Sequence, residues 1–316
     1  MTIGIFSYLV FFLCIVLVLG LITLGLNLQW GFTGLFNAGI AGFYAIGAYT
    51  HAILTAAPNP LYLGNLGLPW IVGVLAAMAA TALAAWLIGL VTIRLRGDYL
   101  AIASFGIAVS IQLVTLNWEA LTGGSQGLTR IPKPLSSVFD TPLAYNLWYL
   151  ALMVTVVALA YFALERILRS PWGRVLRAIR EDEQAAVALG KSALRFRLEA
   201  FVLGAMLMGL AGALYVSFIG FVSPFDFLPI LTFQVWAMLI VGGSGNNRGA
   251  LLGALVVWSI WAASGALVSK LVPPSHAAQG AAIQVILIGL VLVLMLLLRP
   301  RGLIGERAVV SRHAGD

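Results

Sequence analysis

Apolar residues in this chain gather into long unbroken runs, separated by short polar stretches rich in Gly, Pro and Arg. The runs fall at 5–26, 35–57, 69–93, 99–117, 145–168, 195–220, 230–243, 249–270 and 280–298. Most approach the roughly 20 residues that cross a bilayer core as a helix. Continuous runs predict helices, because barrel strands would alternate and every backbone polar group in lipid must be bonded within its own segment. The expected fold is an all-α polytopic membrane protein with about nine transmembrane helices, eight and ten remaining open, in a single domain over 1–316. The first run is too long for a signal h-region and has no basic segment before it, so it is read as a retained helix.

Two interruptions are glycine-rich. The first runs from Gly25 to Gly42 and interleaves Asn27, Gln29, Thr33 and Asn37 with glycines. At membrane depth such a break is tolerated only where it is buried in protein or lines a cavity. Gly39, Gly42 and Gly47, with Ala38, Ala41, Ala45 and Ala48, then give the second run a small-residue face for close helix packing. Helix packing alone and the wall of a pathway both account for this stretch. If it is a wall, the candidate pathway residues are Thr33, Asn37, Gly39, Phe43, Tyr44, Gln234 and Trp236. The second interruption, Gly242 to Gly249, reads as a turn.

One long stretch suits water: Ser170 to Gly190. Ser170 is placed to cap a helix of about five turns, Pro171 fits its first turn, and Gly190 can close it in a left-handed conformation. Trp172, Val175, Leu176, Ile179, Ala186 and Val187 fall at helical spacing, and Arg174, Arg177, Arg180, Glu181 and Asp182 take other positions. This is a candidate docking helix, expected to meet its partner on the Arg177 and Glu181 side.

Composition sharpens the picture: 61% of residues are hydrophobic, 9% are charged and the net charge is +7. If the segments at 94–96, 166–197, 248 and 299–312 share one side, fifteen of the eighteen Lys and Arg lie there, leaving Arg130, Lys133 and Lys270 opposite. The positive-inside rule then puts residues 170–190 and the tail 299–316 in the cytoplasm, and nine full spans would put the N-terminus outside. A basic excess used for orientation argues against nucleic acid as a partner. Within this frame Asp98 is placed to cap the fourth span, Glu199 to pair with Arg195, and the polar segment of over twenty residues that starts at Asn117 and holds Arg130, Lys133 and two prolines to form the largest external element.

Several chemistries are missing. Gly190-Lys191-Ser192 ends like a phosphate loop, but Ala185 stands where its first glycine belongs and no strand precedes it. His51, His276 and His313 stand apart, each read as a satisfied interfacial histidine, so no metal site is expected. Cys14 is read as a packing residue. No acid or base lies near the centre of any predicted span, which argues against catalysis, a proton relay and an ion-coupled carrier. Work for uphill transport would have to enter from another protein, through the docking helix.

Three stretches carry a resemblance. They are Gly25-Leu-Asn27-Leu-Gln-Trp-Gly31-Phe-Thr33-Gly34 through Ile46-Gly47-Ala48-Tyr49-Thr50; Leu95-Arg96-Gly97-Asp98-Tyr99-Leu100 with Asn117-Trp118-Glu119 and Gly123-Gly124; and Ser170-Pro-Trp-Gly173-Arg174 through Ala188-Leu189-Gly190, with the tail Arg299-Pro300-Arg301-Gly302-Leu303. In this order they resemble the LivM-type permease subunit of branched-chain amino acid ABC importers, a family of the bacterial inner membrane. The resemblance implies that residues 170–190 form a coupling helix seated in a groove of an ATPase subunit, a role falling on Gly173, Arg174, Arg177, Arg180, Glu181, Asp182, Ala185, Ala186, Leu189 and Gly190. It also implies a LivH-like second permease, two ATPase subunits of LivG and LivF type that bind ATP and Mg, and a periplasmic substrate-binding protein. No cofactor is expected in this chain. Many relatives carry His where this chain has Ile40, and relatives of the same build serve urea, short amides and aromatic acids.

Overall fold

The computed structural model describes residues 2–95, 97–271, 273, 276–299 and 301–306. The helices are α1 (Thr2–Leu26), continued by a π-helical turn (Asn27–Gly31), α2 (Ile40–Thr55), α3 (Trp70–Thr92), α4 (Asp98–Asn117) and the short α5 (Glu119–Thr122). Then come α6 (Pro142–Arg169), α7 (Pro171–Glu181), α8 (Glu183–Ala188), α9 (Ala193–Ile219), α10 (Pro229–Gly242), α11 (Asn247–Leu271) and α12 (Ala277–Leu298). Among the described residues seven helices are long and apolar enough to cross a membrane. The other two apolar runs form the shorter helices α2 and α10: irregular chain at 32–39 takes the first residues of one, and the other is a run of only 14 residues. The protein is a multi-pass, all-α membrane protein.

Of the most apolar window in each helix, 72% is buried in the first, 67% in α9 and only 6% in α12, so the first two form the centre and the last faces outward. Glycine allows the central contacts. A Cβ on Gly47 would lie 2.2 Å from the Gly209 carbonyl oxygen, and one on Gly25 would lie 2.5 Å from that of Gly204. Backbone thus meets backbone where α9 crosses α2 and α1.

The charged segments gather at one end. Arg94, Glu183 and Arg197 border one cavity there, and Glu165, Arg169, Arg177, Arg248 and Glu306 border another. At the opposite end Leu128–Thr129 (β1) pairs antiparallel with Phe221–Val222 (β2). Beside it the Ser223 N–H donates to Asp226 Oδ2 at 3.0 Å. Burial raises the Asp226 carboxyl above its ordinary range, and that hydrogen bond opposes the rise.

Three local expectations need correction. Residues 170–190 form two helices, since Asp182 is extended (φ −149°) and its Oδ1 accepts the Ala185 N–H at 3.0 Å, ending α7 and capping α8. Ser170 does not cap α7 with its side chain; its hydroxyl donates to the Ile167 carbonyl at 2.6 Å. Gly97, with φ +49°, holds the cap position before α4, and Asp98 is the first helical residue without a side-chain cap bond. His51, one turn from the end of α2, is fully buried with its Nε2 2.8 Å from Ser217 Oγ. The second glycine-rich interruption is a turn between α10 and α11, Arg195 and Glu199 pair at 2.9 Å, and Cys14 is buried. His276 is exposed, and His313, Arg307 and Arg312 lie outside the described residues.

Candidate functional site

The site grows from the broken end of the first helix. Asn27 Nδ2 donates to Asn247 Oδ1 at 2.9 Å, and Asn27 Oδ1 accepts the Gly245 N–H at 2.9 Å. Asn247 Nδ2 donates in turn to Glu165 Oε1 at 3.2 Å. Gln29 Nε2 donates to the Phe201 carbonyl at 2.8 Å, while its Oε1 accepts from Asn37 Nδ2 at 2.8 Å. The Thr33 hydroxyl donates to the Gln29 carbonyl. Buried polar groups cost least when paired, and here amide side chains replace the ladder bonds that the break removes.

Asn37 organises the far side of the break. Its Oδ1 accepts the Gly39 N–H at 2.7 Å, and its carbonyl accepts Trp236 Nε1 at 3.0 Å. Phe36 stacks on Trp236 with ring centroids 4.3 Å apart, and Trp30 meets Trp236 edge-on at 5.3 Å. These rings, with Thr232, Phe233 and Arg301, border a cavity of about 390 Å³.

Of the expected pathway residues, the fold brings together Thr33, Asn37, Gly39 and Trp236. Gln234 is buried on the same helix as Trp236. Phe43 and Tyr44 point elsewhere: Phe43 meets Phe201 edge-on at 5.4 Å, and Tyr44 packs on Tyr215 and Phe227. Ile40 is fully buried at the start of α2. Sequence reasoning missed Gln29, Trp30, Phe36, Thr232 and Ser104, whose hydroxyl accepts the Ala38 N–H at 2.9 Å, as part of this cluster. Gln29 and Trp30 lay within the glycine-rich break, a usable signal; Ser104 and Thr232 gave none, since such residues in apolar helices usually bond to their own backbone.

The second part of the site is the α7–α8 hairpin at the charged end. A Cβ on Gly173 would lie 2.2 Å from the Leu168 carbonyl oxygen, so glycine sets the tight α6–α7 corner. Leu176, Ile179 and Ala186 are buried beneath the hairpin, and Trp172 Nε1 donates to Glu199 Oε2 at 2.8 Å. Arg197 pairs with Glu183 at 2.8 Å. Arg174, Glu181, Asp182, Ala185, Leu189 and Gly190 are exposed, Leu189 to 80%. Arg177 and Arg180 turn partly inward, Arg177 to the Leu168 carbonyl at 3.3 Å and Arg180 to the Gly31 carbonyl and Glu306. Glu181 therefore lies on the outward face and Arg177 beside it toward the protein.

A polytopic helical membrane protein with a broken helix against an aromatic cavity and a charged hairpin at one end defines the class, and comparison with known proteins supplies the family. The model of the branched-chain amino acid transport system permease component matches residues 8–296, and the chain belongs to that family. It is 36% identical over 304 residues to the high-affinity branched-chain amino acid transport system permease protein LivM of Escherichia coli, covering 89% of this chain and 66% of that protein. The corresponding protein of Salmonella typhimurium is 34% identical with the same coverage, so the chain spans about two thirds of the length of these relatives. A probable LivM of Methanocaldococcus jannaschii is 27% identical, with 92% of this chain and 91% of that protein covered. No solved structure matches.

Proposed function

We propose that this chain is a non-catalytic permease subunit forming half the translocation path of an ATP-driven importer of branched-chain amino acids, with ATP and Mg bound by partner ATPase subunits. Its place is the bacterial inner membrane, crossed by nine apolar helices, with the C-terminal segment and the α7–α8 hairpin on the cytoplasmic side. A LivH-like permease completes the path, and a periplasmic binding protein delivers the cargo. The observation that carries this reading is the hairpin itself: it is anchored on its protein side by Leu176, Ile179 and Ala186 and leaves Leu189 and Glu181 outward at the charged end. A rigid base with an exposed mixed apolar and charged face suits a protein groove. The aromatic cavity beside Asn37 favours a cargo with an apolar side chain over urea or short amides.

The test is reconstitution of this chain with a LivH-like permease, the ATPase subunits and the binding protein. ATP-driven leucine uptake is expected, and Leu189→Glu or Glu181→Lys should weaken ATPase retention about tenfold, as loss of an interface anchor does. Retention unchanged in both variants, or uptake of urea in place of leucine, would contradict the corresponding part of the reading.

A further inference from the structure

Arg180 belongs to α7, yet its side chain is only 23% exposed. One guanidinium nitrogen donates to the Gly31 carbonyl and the other to Glu306 Oε2 at 2.8 Å. The Gly31 carbonyl lies in the last turn of the first helix, where carbonyls lack intrahelical partners and a cation is favoured. The Arg180 stem also runs against Gly34, whose φ is +70° and on which a Cβ would lie 3.3 Å from Arg180 Cγ. Glu306 packs on Gly245, where a Cβ would lie 2.9 Å from its Cδ, and the Gly245 N–H is the group held by Asn27.

One guanidinium thus joins the docking hairpin, the end of the first helix and the C-terminal segment. From Gly31 the connection continues within two residues to Gln29, from Gln29 to Asn37, and from the Asn37 carbonyl to Trp236 in the cavity wall. The only acids facing Arg180 in an ion pair are Glu306 and, at 3.9 Å, Glu181 of its own helix, among the described residues. We propose that Arg180 is a positioning residue that carries displacement of the α7–α8 hairpin to the Asn37–Trp236 wall, and that it does not dock the ATPase. This rests on the permease reading above. A forked guanidinium holds two acceptors in fixed directions, which a lysine ammonium on its flexible stem cannot do.

The test uses the reconstituted complex on a Cys14→Ala background with Ser244→Cys as reporter, since Ser244 is exposed at the cavity rim. With Arg180 present, the rate at which the introduced thiol reacts with an alkylating reagent should differ several-fold between the nucleotide-free and ATP-bound complexes. Arg180→Gln should abolish that difference and lower leucine uptake about tenfold, the cost of one charge-assisted hydrogen bond in a conformational equilibrium, with ATPase subunits retained and hydrolysing. Arg180→Lys should fall between. Glu306→Gln, which leaves the Gly31 contact in place, should give a smaller loss of the same kind and serves if Arg180→Gln does not fold. Nucleotide-dependent labelling that survives in both variants, or loss of ATPase subunits from Arg180→Gln, overturns the proposal. Failure of the parent complex to retain ATPase subunits would instead count against the permease reading.

Discussion

Single residues differ widely in what they hold. Asn27 is fully buried and satisfies both the Gly245 N–H and the Asn247 side chain. Asn27→Ala orphans both, at about 1–3 kcal/mol each, so a loss of about 2–6 kcal/mol is expected. Arg195 pairs with Glu199 with its own side chain 79% exposed, where an ion pair contributes under about 1 kcal/mol. Thermal unfolding in detergent should therefore drop sharply for Asn27→Ala and barely for Arg195→Ala; equal effects would contradict the assignment of the break as a region held by buried amides. Both side chains were visible as polar residues in the sequence. Only the fold shows that one is interior and the other wet.

At the scale of elements, the crossing of α2 and α9 is set by glycine. Gly47→Val forces a side chain onto the Gly209 backbone, and overpacking of this kind costs about 1–3 kcal/mol or blocks assembly. Gly106, in α4, has open space around its Cβ position, so Gly106→Ala should leave yield and melting temperature unchanged or slightly raised. Purified yield and melting of the two variants check the contrast, and a harmless Gly47→Val would refute close backbone packing at this crossing. The nine apolar runs and the small-residue face were legible because they are local patterns of hydropathy and size. The split at Asp182 was not, because an acid in a helical pattern reads as surface until its side chain is seen capping Ala185. Nor was the inward turn of Arg180, which depends on Glu306 far along the chain. Phe43 and Tyr44, also candidate pathway residues, meet Phe201 and the Tyr215–Phe227 pair in the fold, since a helix turns neighbours onto different faces.

For the whole molecule the deciding property is sidedness. Fifteen of the eighteen Lys and Arg fall in segments that sequence reasoning assigned to one side, and the fold brings those described to one end, with β1, β2 and the 117–133 region at the other. Basic residues near helix ends are retained on the cytoplasmic face, so that end is expected inside. Two exposed serines report on the two ends: Ser192, between α8 and α9, and Ser136, in the loop before α6. On a Cys14→Ala background, Ser136→Cys should react with a membrane-impermeant thiol reagent in intact cells freed of their outer membrane. Ser192→Cys should react only after the bilayer is opened. The reverse pattern would put the α7–α8 hairpin outside, beyond the reach of any cytoplasmic ATPase. In that case the importer reading would fail for a reason of topology, with the fold itself unchanged.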